Sequence, residues 1–487
     1  MNSKLFLSLS AAFAAMVAFA DPNSPQITAC TVTQDSVTHL VKATYTLDEP
    51  AVITFDVKTN GVSIGGANLT HAYGDVHRVV AAGSHTLYWQ ADKAWQGYRL
   101  ASASFEVVAW ATNAPPDYMV VDLVATKGAR TYYTAPEQLP GEGGITNKMY
   151  KTDYLVMRKI PAKDVIFPMG LLWTGNQSCL YHRVKLTNDF YMAVYELTLG
   201  QMKNAIGESP ANLTTYYKYI GDTNSRADFS EYAKNLAHPL PETPYFKFRG
   251  YTGSLWGGNF THTITDTDSY LYQLRNALNI SSLDLPTDAE WEFACRAGTK
   301  EQCYDGTTYP DCPTNIAWMA NNSASTYLWG YTYCLPHEVG LLPPNAFGLY
   351  DMIGNVREFC LDLYNEGSAY TGGVTLDSYS ADPIVAPTGP TTDIEGNYDG
   401  CARGSYSSYT KGTLWSEWYA DPNSTRRVVR GGCASDVYWS GASAYQRNPV
   451  GSCKMPPYGS DNAQDQDKVV AQHDTRGPNG YRLVCLP

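Results

Sequence analysis

The sequence predicts a multidomain protein, an all-β sandwich followed by a loop-rich α+β domain, on three observations. The chain has 487 residues, more than one hydrophobic core usually serves. Residues 22–112 carry short runs of Val, Thr, Tyr and Phe separated by glycine turns, with no helical period. Beyond about residue 166 long loops dominate and two helices are well signalled, and every cysteine except Cys30 lies at or after Cys179.

In the first region the strands are expected at Leu40–Tyr45, Ala51–Val57, Arg78–Val80, Thr86–Gln90 and Ser102–Trp110. Asn60-Gly61, Gly65-Gly66 and Ala82-Gly83 punctuate them as turns. The stretch from Ala82 to Trp89 resembles the "AG-x-H-x-x-x-W" strand of bacterial Ig-like modules, which makes the expected sandwich Ig-like. Residues 113–117, with Pro115 and Pro116, read as a linker because proline removes ladder donors and stiffens the chain. Residues 118–165 are a connecting segment with a Gly/Pro cluster at Pro140–Gly144, and residues 166–487 form the second domain.

Two capping boxes mark helices in that domain. Thr198 and Gln201 open the first, with Met202, Ala205 and Ile206 on one face and Gly207 as terminator. Thr287 and Glu290 open the second, after Pro286. There Trp291, Ala294 and Cys295 share a buried stripe, and Glu292 and Arg296 are expected to face water.

Composition narrows the partners. Net charge is −12 with no cluster of Lys or Arg, which speaks against sustained phosphate contact and so against nucleic acid. The 37 tyrosines fit aromatic packing under long loops, or ligand-binding surfaces. Residues 1–20 read as a signal peptide: Lys4, an apolar run from Leu5 to Phe19, and small residues at Ala18 and Ala20. The run is too short for a membrane span, so a secreted or periplasmic location without a membrane span is expected. Eleven cysteines in such a chain imply disulfides and at least one unpaired thiol, with Cys303 and Cys312 a plausible local pair. No G-x-S-x-G, phosphate-loop or H-E-x-x-H motif occurs.

Six ordered motifs then carry a family resemblance. They are Phe167-Pro168-Met169-Gly170, Phe190 to Thr198, Leu285 to Phe293, Asn345 to Phe359, Arg430-Gly431-Gly432, and Asn479-Gly480-Tyr481-Arg482-Leu483. In this order they resemble the formylglycine-generating enzyme (sulfatase-modifying factor) family, over roughly two-thirds of the chain. The resemblance implies a compact, loop-rich α+β fold related to C-type lectins. It also implies a structural calcium ion on the side chains of Asp351 and Glu358 and the carbonyls of Gly354 and Val356, all hard oxygen donors. The alternative for this loop is a tight turn with a surface ion pair to Arg357.

The family's enzyme holds copper(I) on two cysteines downstream of the R-G-G motif. Those positions fall on Asp436 and Gly441 here, and neither replaces a thiolate, so copper is not expected. Cys433 and Cys453 are the nearest thiols, and a disulfide is the commoner outcome for them. A second branch of the family uses non-haem iron on an H-x-x-x-H pair, a spacing absent among the nine histidines. Asp436, Tyr438, Trp439, Tyr445 and Arg447 make a candidate ligand groove of stacking rings and directional polar groups, suited to a glycan or a peptide. The expected function is a secreted binding or structural protein lacking the catalytic cysteines. Its rival is a divergent metal-dependent oxidase.

Overall fold

The computed structural model describes residues 24–97, 103–170, 182–213, 229–250 (apart from 242 and 244), 264, 266–307, 313–328 (apart from 324), 331–363, 384–385, 426–434, 448–451 and 479–487. The chain divides into two units, one comprising Met1–Asp122 and Ala129–Tyr150, the other Leu123–Gly128 and Lys151–Leu486.

The first unit is all-β. Its strands are β1 (Ile27–Gln34), β2 (Leu40–Leu47), β3 (Ala51–Thr59), β4 (Val62–Ser63), β5 (Ala72–Gly74), β6 (Val79–Val80), β7 (Gly83–Gln90) and β8 (Ser104–Trp110), followed by β9 (Tyr118–Asp122) and β10 (Arg130–Tyr133). One antiparallel sheet runs β1-β2-β7-β5, and in another β3 pairs with β4, β6 and β8. Strand β2 shows how the sequence specifies this. Val41, Ala43, Tyr45 and Leu47 are buried and alternate with more exposed residues, as a half-buried strand requires. They meet Ile53 and Phe55 of β3, Trp89 of β7 and Phe105 of β8 in one core.

Strand β1 escapes the sequence reading. It is an edge strand with a register shift between Ile27 and Ala29, and much of it is exposed, so it lacks a clean apolar alternation.

Strand β3 breaks the alternation, because Ala51 to Phe55 are all buried. Its outer face is covered. Trp110 Nε1 donates to Thr54 Oγ1 at 2.8 Å. The β9–β10 ribbon is tied in through His77, whose N–H donates to the Ile53 carbonyl at 2.7 Å and whose carbonyl accepts from Tyr132 N–H at 2.8 Å. The His77 ring stacks on Tyr133 at 4.5 Å, with Nδ1 2.9 Å from the Tyr132 carbonyl. The segment expected as one connector is therefore shared: residues 129–150 pack with the first unit and Lys151 onward with the second.

In the second unit, β11 (Tyr154–Ile160), β12 (Ile166–Met169), β13 (His182–Lys185) and β14 (Phe190–Ala193) precede a helical stretch. The later strands are β15 (Ser325–Leu328), β16 (Tyr331–Cys334), β17 (Arg357–Leu363), β18 (Ile384–Val385), β19 (Arg426–Arg430), β20 (Asn448–Gly451), β21 (Asn479–Gly480) and β22 (Val484–Cys485). β14 pairs with β11 on one side and β22 on the other. β17 pairs antiparallel with β19 and parallel with β21. The chain's last strand, β22, thus closes onto a far earlier one, with Tyr191 of β14 opposite Cys485.

Both capping boxes form. Thr198 Oγ1 accepts from Gln201 N–H at 3.1 Å, and that helix, Leu199–Ile206, ends at Gly207 with φ 82°. Thr287 N–H donates to Glu290 Oε2 at 2.8 Å and opens the helix Asp288–Arg296. One expectation there is corrected. Glu292 and Arg296 do not face water; both are buried. Arg296 Nε donates to Glu292 Oε1 at 2.8 Å, and Glu292 Oε2 takes Arg430 at 3.1 Å, so the helix face opposite the apolar stripe carries a buried ion network. A third helix, Tyr270–Leu278, begins at Ser269, whose Oγ accepts from Tyr272 N–H. The sequence hid it behind the loop-like run Asp266-Thr267-Asp268-Ser269, with no Glu or Gln at the box position. Among the described residues no helix is long and apolar enough to cross a membrane.

Candidate functional site

The segment Asn345–Glu358 is pinned at its start by Asn345. Its Nδ2 donates to the Ala294 and Cys295 carbonyls at 2.8 and 3.1 Å, at the end of the Asp288–Arg296 helix. The chain then turns through four positive-φ residues, Gly348 (81°), Asp351 (54°), Gly354 (84°) and Asn355 (57°). Gly354 has to be glycine, because a Cβ there would lie 2.5 Å from the Trp318 carbonyl oxygen. Gly354 N–H donates to the Gly431 carbonyl, and Ala434 N–H to the Asn355 carbonyl, both at 2.9 Å. The 431–434 turn, which follows the Arg430 motif, therefore lies on this loop.

Buried charge collects around it. Asp351 Oδ2 accepts from Gly340 N–H at 2.6 Å. Glu196, fully buried, accepts from Val356 N–H at 3.1 Å and from Asn355 Nδ2 at 2.6 Å. Burial pushes the Asp351 carboxyl up to about 6. Burial, with the nearby negative charge of Asp351 and Glu358, pushes Glu196 well above the usual carboxylate range.

Glu358 is differently placed. Arg482 donates to its carboxylate through Nη2 at 2.6 Å and through Nε at 2.9 Å, and Trp291 Nε1 donates to Oε2 at 2.6 Å. Arg482 also donates to the carbonyls of Ala193 and Val194 at 3.0 Å and of Tyr350 at 2.7 Å. The ion pair weighed for this loop is thus buried rather than on the surface, and its cation is Arg482 rather than Arg357.

Of the four residues implied as calcium ligands, Asp351, Gly354, Val356 and Glu358 share one loop, but both Glu358 oxygens are committed to donors. A dication beside the Arg482 guanidinium would be repelled, so Glu358 as placed does not fit the role. Among the described residues no group of three or more His, Cys, Asp or Glu is arranged to hold a metal ion. The groove residues Asp436, Tyr438, Trp439, Tyr445 and Arg447 lie outside the described residues, as do Gly441, Cys453 and Cys312. Cys433 is buried in the 431–434 turn. Cys295 and Cys360 form no disulfide, and burial pushes both thiols well up, away from ready thiolate chemistry.

Residues that the sequence reading passed over organise the site. Asn355 is the hub: besides Glu196, its Oδ1 accepts from His337 N–H at 2.8 Å and its own N–H donates to the Trp318 carbonyl at 3.0 Å. The Trp318 and His337 rings stack with centroids 3.8 Å apart and planes 18° from parallel. Glu196 and Arg482 stood inside motifs that served only as family marks. Trp318 and His337 carried no signal, because a lone tryptophan and a lone histidine are ordinary packing residues in sequence.

The sulfatase-modifying factor enzyme 1-like domain profile (FGE-sulfatase) matches residues 158–468, and the chain belongs to that family. Relatives include chaperone protein LppX of Paenibacillus barcinonensis, 26% identical over 42% of this chain and 72% of that one. The formylglycine-generating enzyme of Mus musculus is 26% identical over 42% of this chain, and the match spans about half (54%) of the mouse protein's length. A mouse protein named inactive C-alpha-formylglycine-generating enzyme 2 is 36% identical over 16% of this chain and 26% of its own. Among solved structures, Treponema denticola variable protein 1 aligns with 69% of this chain and 96% of its own, at 16% identity and a TM-score of 0.40.

Proposed function

We propose that this chain is an exported, non-catalytic binding protein of the sulfatase-modifying factor family. One observation carries the reading: Asp436 and Gly441 stand where the resemblance places the enzyme's two copper-holding cysteines. Carboxylate and glycine cannot supply the soft, thiolate pair that copper(I) requires. The names of two relatives, a chaperone protein and an inactive enzyme, support a role other than oxidation within this family. The N-terminal all-β unit is read as an Ig-like module that presents or anchors the second unit. The aromatic segment with Asp436, Tyr438, Trp439, Tyr445 and Arg447 is its ligand groove, for a glycan or a peptide.

Calcium belongs to the same reading, with an altered donor set. The Asp351 side chain and the Gly354 and Val356 carbonyls would hold it, without Glu358. The support is the buried Asp351 carboxyl, pushed up to about 6 by burial, where a hard cation would take the place of the proton.

The rival reading, a divergent oxidase, has Cys433 and Cys453 in its favour. Disulfide mapping of the non-reduced protein, followed by copper(I) titration, separates the two. No stoichiometric copper uptake is the expected result. Free, copper-binding Cys433 and Cys453, with oxidation of a cysteine-containing peptide, would replace the binding reading by the enzymatic one.

A further inference from the structure

The four strands of the β1-β2-β7-β5 sheet contain no Asp or Glu, and Lys42 is their only Lys or Arg. Alternation fixes which residues reach the outer face of that sheet. Val41, Ala43, Leu87 and Trp89 are buried in the core, so Lys42, Thr44, Thr86 and Tyr88 project the other way. Register then sets the outer residues in rows across the strands. Tyr73 lies opposite Tyr88, Tyr88 opposite Lys42, and Lys42 opposite Thr33. In the next row Thr86 lies opposite Thr44, and Thr44 opposite Thr31. At the sheet's edge Tyr73 is 47% exposed, and its ring stacks on that of Tyr88 with centroids 5.1 Å apart and planes 17° from parallel. Among the described residues, no side chain of these two rows has a hydrogen-bond or ion-pair partner.

We propose that this face binds a neutral polysaccharide, with a sugar ring stacked on Tyr73 and neighbouring sugar hydroxyls bonded by Lys42 and the threonines. The first unit thereby has a ligand of its own, separate from the groove residues between Asp436 and Arg447. A pyranose ring has apolar faces lined by C–H groups and a rim of hydroxyls, and tyrosine meets both with one ring and one hydroxyl. Its two side-chain torsions cost little to order, and Tyr88 already supports the Tyr73 ring. Threonine hydroxyls both donate and accept, and Lys42 offers three donors, which suits the mixed rim of a sugar. Neighbouring strands lie about 4.8 Å apart, so a glycan crossing them from Tyr73 meets Tyr88, Lys42 and Thr33 in turn. Charge selects the class. With a net charge of −12 the protein repels a polyanion at long range, and a face without carboxylates offers nothing to a polycation. An apolar protein partner is not served either, because Tyr73 is the one large hydrophobic residue of these four strands that is exposed.

The test is affinity electrophoresis of the full chain through gels holding hydroxyethylcellulose, arabinoxylan, galactomannan or dextran, with polygalacturonate as the charged comparison. At least one neutral polymer is expected to retard the wild-type chain, and polygalacturonate is not. Tyr73→Ala should weaken that binding about tenfold, and Lys42→Gln about threefold. Lys93→Gln removes the same charge from an exposed helical position off this sheet and should change nothing. Melting curves establish that each variant is folded. Lys42 is exposed, so its variant keeps the test decisive should Tyr73→Ala fail to fold. No retardation by any neutral polymer overturns the proposal, and so does retardation by polygalacturonate alone. Binding that Tyr73→Ala and Lys42→Gln leave intact also overturns it. If Trp439→Ala then abolishes that binding, the sugar sits in the aromatic segment, and the binding reading stands without this face.

Discussion

The carboxylate of Glu358 and the guanidinium of Arg482, 124 residues apart in the chain, meet in the interior with Oε1 2.6 Å from Nη2. Arg482 spends its remaining donors on the carbonyls of Ala193, Val194 and Tyr350. The pair therefore ties the C-terminal motif to strand β14 and to the Asn345–Glu358 segment at once. Trp291 Nε1, donating to Glu358, adds the Asp288–Arg296 helix to the same node.

Removing one partner leaves the other buried and uncompensated. Arg482→Leu and Glu358→Leu are each expected to destabilise the protein by about 3–5 kcal/mol. The double variant should lose clearly less than the sum of the two. Urea denaturation of all four proteins measures this, and additive losses would show that the pair is not coupled.

Asp351 gives a calcium and pH prediction together. Its folded-state pKa is raised to about 6 by burial, so the protonated form is favoured in the native state. Stability from this group is greatest below the unfolded value near 3.8 and declines as pH rises through about 6. A calcium ion would replace that proton. Calcium is therefore expected to raise the melting temperature more at about pH 7.5 than at about pH 5, and not at all in Asp351→Asn. Melting curves unchanged by calcium and by chelator at both pH values would remove calcium from the site.

His77 predicts acid sensitivity in the first unit. Burial lowers its pKa from 6.5 to about 4. The unfolded chain takes up the proton first, so this contribution is present above about pH 6.5 and lost as pH falls toward 4, amounting to about 3 kcal/mol. His77→Asn, which tolerates the φ of 58°, should flatten stability across that window. An unchanged slope would place the acid sensitivity elsewhere.

Gly354→Ala probes the crossing of two chain segments. The added Cβ would lie 2.5 Å from the Trp318 carbonyl oxygen and 2.8 Å from its nitrogen, at a φ of 84° that alanine resists. A loss of at least about 2 kcal/mol is expected from strain and overpacking together. A variant as stable as wild type would mean that Trp318 moves aside easily, and its stack on His337 would then loosen measurably.

Local rules made much of this molecule legible. The apolar alternation from Leu40 to Leu47 announces β2, and Thr198 with Gln201 and Thr287 with Glu290 announce two helix starts, because each depends on groups a few residues apart. Strand β1 and the Tyr270–Leu278 helix were hidden, the first by exposure and a bulge, the second by a weak capping signal. At the candidate site the sequence marked the Asp351–Glu358 loop. It did not say what each carboxylate faces.

By itself, then, the sequence determined the β-rich first unit, the family of the second, and the replacement of two catalytic cysteine positions by Asp436 and Gly441. Only the tertiary structure decided that Glu358 faces Arg482, that Glu196 bonds Asn355, and that Trp318 stacks on His337. Patterning, capping and motif order are properties of neighbouring residues. The partners of Glu358 and Glu196 are fixed by contacts across 124 and 159 residues, which no local spacing encodes.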